Sequence, residues 1–259
     1  MANIRVESRE FQVDLGFGRA RQPNGELLDS VFKYGSNNAV GTTEEGIQHQ
    51  GGLFIFPTSA QRVRVKAGGN AADAAGGDGA RSVEIFGVKG DGTSGSETLI
   101  PAGAAASDWS TETWWRIYRV RPIEVGLYDG TNIGDMVIEN ETDLDELIYL
   151  PAGLGSTLHL SWTTGSDQQA LVSTLVLSVE SNKAADLRLY TRNNMATLTP
   201  PFTPTVIQQE FKSVPAGLFS VPREPFLYLP PLTDVWVNAV VPVGSAQVAA
   251  SLSIIVAPT

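Results

Sequence analysis

Short apolar or alternating runs, separated throughout by turn-forming residues, constrain most strongly what this chain of 259 residues can fold into. In Arg62–Lys66 cationic residues alternate with valines, which predicts a strand with one buried and one solvated face. The prolines crowded between Pro200 and Pro231 cannot donate to a β-ladder, so they predict strand starts, sheet edges and turns. Helix signals are nearly absent. The sequence therefore predicts an all-β fold of one or two β-sandwich or jelly-roll units.

The predicted strands fall into two groups of similar size, separated by the acidic stretch Asn140–Glu146. The first group is Phe11–Phe17, Leu53–Phe56, Arg62–Lys66, Ser82–Val88, Glu97–Ile100, Trp115–Val120 and Asp135–Glu139. The second group is Leu147–Leu150, Thr157–Trp162, Leu171–Val179, Leu187–Thr191, Val206–Val214, Leu218–Val221, Asp234–Val241 and Ala246–Val256. We predict an extended N-terminal arm at residues 1–36, one sandwich unit at 37–142 and a second at 143–259. Either a duplicated unit or the strand pattern that β-sandwiches share in general explains the two groups.

Composition argues against several classes of function. The chain has 18 basic and 28 acidic residues, a net charge of −10, which disfavours binding to nucleic acid or to anionic lipid. It has no cysteine, and hence no disulfide framework, zinc-thiolate site or cysteine nucleophile. The first ten residues lack the apolar core of a signal peptide, and no run reaches the length of a membrane span. We therefore expect neither nucleic acid nor a membrane as a partner.

No motif for catalysis, metal binding or cofactor binding stands out. The two histidines, His49 and His159, lack nearby partners, and His159 alternates with leucines, so it is expected to point out of its sheet. The Asp-Gly loops at residues 76–79 and 90–93 indicate hairpin turns more strongly than calcium sites. A solvated linker is also the better explanation of the remaining calcium candidate, the acidic run of Glu139, Glu141, Asp143, Asp145 and Glu146. A pair of glycosidase carboxylates has no sequence spacing by which to recognise it.

Aromatic residues are concentrated in one short segment. Trp109, Trp114 and Trp115 lie within seven positions, next to Tyr118. Adjacent residues of a strand face opposite sides, so at most one of Trp114 and Trp115 fills a core. The other is expected at a surface or an interface, where large rigid side chains contribute to binding of partners or sugars.

The polar, glycine-rich stretch from Lys33 to Phe56 ends in an apolar run closed by Pro57. Its phrase Tyr34-Gly35-Ser36-Asn37-Asn38-Ala39-Val40-Gly41-Thr42-Thr43-Glu44-Glu45 is followed by Gly51-Gly52 and a predicted strand. This resembles a Tyr-Gly-x-Asn-x-x-Val-Gly-Thr-x-Glu-Glu phrase that recurs in structural proteins of tailed bacteriophages. Segments similar to that family follow in the same order across most of the chain, including Gly79–Ile85 and Pro225–Val235. The chain departs from the family at Gly46–Gln48, where a Trp is common.

The resemblance implies a virion protein without enzymatic activity or cofactor, assembled in the host cytoplasm and partnered by copies of itself and by other virion proteins. Capsid decoration or cement, neck and tail positions all stay open, and residues 1–36 are expected to drape over a neighbouring subunit. The candidate interface residues are Trp109, Trp114, Trp115, Tyr118, Tyr34, Glu44 and Glu45. One alternative is a tail module that binds a receptor or a host surface glycan through Trp109, Trp114 or Tyr118. A second alternative is a tail-associated polysaccharide hydrolase.

Overall fold

The computed structural model describes residues 14–16, 18–22, 24–193, 195 and 201–259, with the backbone alone at residues 223 and 224. Within these residues, thirteen strands form three antiparallel sheets. The all-β class predicted from the alternating runs is therefore confirmed. The predicted strand Phe11–Phe17 is wrong where it can be compared, because its described residues 14–16 are helical; its other residues lie outside the described part.

The largest sheet has seven strands and brings the first described strand beside the last. Its main path runs β1, β13, β10, β12, β2, while β11 pairs with β10 and β9 pairs with β12. Its strands are β1 (Asp29–Val40), β2 (Glu45–Gly46), β9 (Ser161–Thr163), β10 (Gln168–Arg192), β11 (Val206–Leu229), β12 (Asp234–Val240) and β13 (Ala246–Pro258).

Strands β10 and β11 form a long hairpin of 25 and 24 residues. One edge of β10 pairs with β11 along almost its whole length. The other edge pairs with β13 over residues 168–179 and then with β12 over residues 186–192. The ladder is interrupted between these two parts, where Asn182 of β10 and Ser213 of β11 have φ of 62° and 50°. Positive φ at non-glycine residues fits the bulges that close this interruption.

The remaining strands form two three-stranded sheets. One has the order β3 (Val63–Val65), β7 (Met136–Asn140), β8 (Glu146–Leu150). The other has the order β5 (Ser94–Leu99), β4 (Ala80–Lys89), β6 (Trp114–Val125). Residues 66–79, which include the predicted hairpin loop Asn70–Gly77, connect β3 to β4 without a strand of their own.

Two main hydrophobic cores divide the chain differently from the predicted boundary at residues 142 and 143. One core combines side chains of both small sheets, all from residues 63–150. The other combines residues 40–54 with residues 160–256. Since β7 and β8 pair as a hairpin across residues 142 and 143, a boundary there would cut through a single sheet. The acidic stretch Asn140–Glu146 is thus the turn of a hairpin, which has the same polar composition as a linker.

The predicted N-terminal arm at residues 1–36 overlaps the large sheet. Its last eight residues belong to β1, which pairs with β13 from Asp29↔Val256 onward. Upstream, Leu15 and Ala20 are buried against Ile255 in a small cluster of their own. The described part of the arm from residue 14 therefore packs on its own chain, and residues 1–13 lie outside the described part.

A buried ion-pair cluster joins the two cores. Asp234 of β12 is fully buried and accepts two hydrogen bonds from Arg116 of β6, Nε to Oδ1 at 2.9 Å and Nη2 to Oδ2 at 3.1 Å. Arg192 of β10 donates to Oδ2 at 2.5 Å, and Thr163 Oγ1 donates to Oδ1 at 2.8 Å. The remaining guanidinium nitrogen of Arg116 donates to the carbonyl of Pro57 at 2.9 Å. This network connects a strand of a small sheet to the large sheet through buried, desolvated charges.

Candidate interaction surface and the cleft beside it

The polar segment from Tyr34 to Glu45 folds back on itself. Glu45 accepts hydrogen bonds from the Asn37 side chain at 3.0 Å, from the Gly41 amide at 3.0 Å and from the Gly52 amide at 3.3 Å. Val40, between these groups, is completely buried. The polar residues of the phrase therefore tie β1, β2 and the Gly51–Gly52 turn together, and the Glu45 carboxylate is occupied within its own chain.

Glu44 is likewise held by its own chain. Its carboxylate accepts hydrogen bonds from Arg188 at 2.5 Å, from the Tyr190 hydroxyl at 2.7 Å and from the Asn238 amide at 2.8 Å. Burial opposes its ionisation, but these donors together hold the pKa of Glu44 below its ordinary value. Both glutamates predicted to meet a partner thus bind β10, β12 and the phrase itself.

The tryptophans separate as strand geometry requires. Trp114 is 1% exposed and belongs to the core of the small sheets. Trp115 is half-buried and donates through Nε1 to the Gly90 carbonyl at 3.1 Å. Trp109 is half-buried beneath the Arg64 guanidinium, which lies 4.1 Å from its ring centre. The prediction that at most one of the adjacent pair fills a core is confirmed, and Trp114 is that residue.

One of the two histidines, His159, does not lie where the sequence predicted. His159 was expected to point out of its sheet, and this is wrong: it is buried, and its Nε2 lies 2.7 Å from Ser161 Oγ. The alternation fails because residues 158–160 precede β9 and do not form a regular strand. Burial, and then the charge of Lys33, lower the pKa of His159 well below its usual value. His49 is half-buried and stacks on Tyr149 with ring centres 5.4 Å apart.

The acidic run from Glu139 to Glu146 does not converge on a metal-binding point. Glu139 pairs with Arg64, Glu141 with Arg62 and Glu146 with Lys66. Among the described residues, no group of three His, Cys, Asp or Glu side chains is placed to hold a metal ion. Nor does the described part of the chain contain a helix long and apolar enough to cross a membrane.

The outer edge of β11 is a long open edge of the large sheet. Within the described ranges, β10 is the strand that pairs with β11, and the opposite edge of β11 has no strand partner. Pro215, Pro222 and Pro225 lie in this strand, which is consistent with an edge position because a proline cannot donate to a second ladder. An unpaired edge presents backbone donors and acceptors that another strand can use.

Exposed apolar side chains accompany this edge. Ile207 is 51% exposed and Leu218 is 75% exposed, and further exposed apolar residues of the hairpin and its approach are Phe202, Val206 and Tyr228. On the opposite margin of the same sheet, Phe32 and Tyr34 of β1 are also exposed. Of the predicted interface residues, Tyr34 is thus the exposed one, while Trp109, Trp115 and Tyr118 are half-buried.

A cleft of about 440 Å³ lies where β1, β6 and the start of β10 meet. Lys33 lines it although the side chain is only 2% exposed, and its ammonium donates to the carbonyl of Tyr118. The Arg119 guanidinium donates to the carbonyl of Phe32 at 2.8 Å. Burial, followed by the nearby charge of Arg119, lowers the pKa of Lys33 well below its usual value, and burial raises the pKa of Tyr118 to about 12.

No local sequence pattern marked Lys33 and Arg119 as cleft residues or β11 as an open edge strand. The period-2 pattern that places Val31 and Lys33 on one face was available, but the polar neighbours of these residues predict an arm instead of a strand. The edge depends on which strands pair across the chain, and no local pattern carries that information.

No known protein family matches the sequence, and no curated protein matches it significantly. The alignment with the structure of infectious bursal disease virus Gt strain covers 89% of this chain and 72% of the viral chain, with 12% identity and a TM-score of 0.24. The alignment with the T=1 particles derived from infectious bursal disease virus covers 89% of this chain and 69% of the viral chain, with 12% identity and a TM-score of 0.26. The alignment with the VP2 subviral particle of the same virus covers 89% of this chain and 72% of the viral chain, with 11% identity and a TM-score of 0.23. These weak structural neighbours are proteins of virus particles, and TM-scores in this range do not define a shared topology.

Proposed function

We propose that this protein is a structural component of a bacteriophage virion, a capsid decoration or cement protein or a neck or tail protein, that acts through contacts between subunits and catalyses no reaction. The observation that carries the proposal is the open outer edge of the 24-residue strand β11. The order of segments that resemble phage structural proteins supports it. Copies of the chain and other virion proteins are its partners, and it works in the particle after assembly in the host cytoplasm.

The open edge of β11 is long enough to pair with a strand of another subunit. At about 3.3 Å per residue, β11 offers a row of backbone groups about 80 Å long. Ion pairs among Glu210, Lys212, Asp186 and Arg188 cover one part of the hairpin, while Ile207 and Leu218 stay exposed. A strand from another subunit that added to this edge would satisfy the backbone groups and bury the apolar side chains together.

Replacing Ile207 and Leu218 with lysine in one chain is expected to weaken self-association at least about tenfold, because each charge would have to be buried in the contact. Folding should be unaffected, since both side chains are exposed in the single chain. A matched control is the double variant Leu154→Lys and Val243→Lys, which changes side chains of similar exposure, 52% and 80%, away from β11. Sedimentation velocity of the three proteins measures the effect.

We expect the wild-type chain and the control to sediment as a closed oligomer and the β11 variant to sediment as a monomer. A wild-type chain that stays monomeric at every soluble concentration would contradict the proposal. So would a β11 variant that sediments like the control.

A receptor- or carbohydrate-binding tail module is the second candidate. The cleft beside β1 favours it, because Tyr118, one of the residues predicted to meet a sugar, lines this cleft together with Phe32, Phe86 and Trp162. A volume of about 440 Å³ and a mixed aromatic and polar lining are typical of small-ligand sites.

A further inference from the structure

Two cations of the cleft lack carboxylate partners in a chain that has an excess of carboxylates. The formal net charge is −10, and six arginines of the sheets and their margins pair with acidic side chains: Arg62, Arg64, Arg116, Arg121, Arg188 and Arg192. Lys33 and Arg119 have no such partner among the described residues, and both line the same cleft. Arg121, two residues along the same strand, pairs with Glu84 at 2.9 Å.

Burying a lysine without a counter-charge is costly, and lysines are rarely fully buried unless they are paired. Lys33 is 2% exposed, and its ammonium, with three N–H groups, has one hydrogen-bond acceptor in the structure, the Tyr118 carbonyl. The guanidinium of Arg119 is half-buried, and its structural acceptor is the Phe32 carbonyl. Both groups therefore retain donors for an incoming anion.

The rest of the lining fits a polar ring compound. Phe32, Phe86, Tyr118 and Trp162 supply aromatic surface. Asp167 and Gln168 supply acceptors, and one oxygen of Asp167 already accepts the Ser94 amide at 3.0 Å. Asp29 lines the cleft as well and accepts the neighbouring Ser30 amide at 2.7 Å. Neither aspartate forms an ion pair with Lys33 or Arg119, so both can accept hydroxyl groups of a ligand.

We propose that this cleft binds an acidic saccharide, whose carboxylate lies between Lys33 and Arg119 and whose ring lies against Phe32 and Tyr118. The inference rests on the second candidate function and names its ligand class. It is independent of the β11 edge, because no residue of β11 lines the cleft.

The test is a titration of the full chain, followed by Trp fluorescence and by calorimetry, with glucuronate and N-acetylneuraminate as probes. Glucose lacks the charge, acetate lacks the ring, and glucose 6-phosphate replaces the carboxylate with a phosphate. We expect an acidic sugar to bind at least about tenfold more tightly than glucose or acetate, because a charge-assisted hydrogen bond and ring contact act together. Equal binding of glucose 6-phosphate would overturn the assignment to a carboxylate.

Substitutions of cleft residues test whether the sugar binds in the cleft. Lys33→Met and Arg119→Gln should each weaken binding of the acidic sugar at least about tenfold. Arg62→Gln removes a cation that already has a partner, Glu141, and does not line the cleft, so it should leave affinity within about twofold. Melting curves identify any variant that does not fold, and either cleft variant alone decides the question.

The proposal is overturned if no acidic sugar binds the wild-type chain at concentrations up to about 20 mM. It is also overturned if either cleft variant folds and binds the acidic sugar like the wild type. Repeating the titration with the Ile207→Lys and Leu218→Lys chain separates the two proposals, since a monomer that still binds the sugar would retain the cleft without the subunit contact.

Discussion

Replacing Asp234 with asparagine is expected to lower the free energy of unfolding by about 3–5 kcal/mol. The carboxylate is fully buried and holds two hydrogen bonds from Arg116, which is itself 4% exposed. The neutral amide would leave the Arg116 charge buried without its counter-ion. Arg116 and Asp234 also lie on strands that pack in different cores. Losing this pair should therefore weaken the contact between the two cores as well as each sheet.

The control is Glu141→Gln, which removes the partner of Arg62 in an exposed ion pair. Exposed pairs contribute little to stability because water and salt screen them, so this change should be nearly neutral. Urea unfolding of the three proteins gives the comparison, provided that the transitions are two-state. Equal stability of Asp234→Asn and Glu141→Gln would contradict the role given to the buried cluster.

The same carboxylate should shape the acid limb of the stability curve. Burial opposes ionisation of Asp234, but Arg116 and Arg192 outweigh it and hold the pKa of the carboxyl below its usual value. A depressed folded-state pKa stabilises the fold in full above the unfolded value of about 3.9, and this stabilisation is lost as the pH falls through the folded-state pKa. We therefore expect Asp234→Asn to show a shallower loss of stability below about pH 4 than the wild type.

Replacing Gly35 with alanine should cost about 2–3 kcal/mol, because the new methyl group has no space. A Cβ at this position would lie 2.3 Å from the Ile47 carbonyl oxygen and 2.6 Å from the Leu160 Cβ. The first of these atoms belongs to the backbone, so β1 would have to move away from the segment that contains Ile47. This close approach explains why a glycine follows Tyr34.

The matched control is Gly76→Ala, where an added Cβ meets no atom within 4 Å and the backbone φ is not in the left-handed region. This variant should be neutral within about 0.5 kcal/mol, or slightly more stable through a less flexible unfolded chain. Thermal unfolding of both variants measures the difference. A Gly35→Ala chain as stable as Gly76→Ala would show that β1 does not approach this closely.

Local patterns predicted the class of the fold and several side-chain positions. The alternation in Arg62–Lys66 places Val63 and Val65 in the core, and adjacent Trp114 and Trp115 separate between core and surface as expected. These outcomes follow from the two-residue period of a strand, which the sequence displays directly. The same period failed at His159, because the residues around it do not form a regular strand.

Long-range pairing could not be predicted. The polar turn between β7 and β8 has the composition of a linker, so the sequence placed a boundary inside one hairpin. The prolines of β11 suggested breaks between separate strands, whereas an edge strand tolerates them and runs on for 24 residues. Glu44 and Glu45 look like free surface charges in the sequence, and only the fold shows that β10, β12 and the phrase itself hold them.

Hydrogen–deuterium exchange of the β11 amides tests the proposed subunit contact most directly. In the assembled wild-type protein we expect amides of residues 206–212 that face away from β10 to exchange slowly, since a second subunit pairs with them. In the Ile207→Lys and Leu218→Lys chain they should exchange at least about tenfold faster, while the amides of β13, which pairs on both edges, stay protected. Equally fast exchange of the outward β11 amides in both proteins would contradict the proposal that this edge joins subunits.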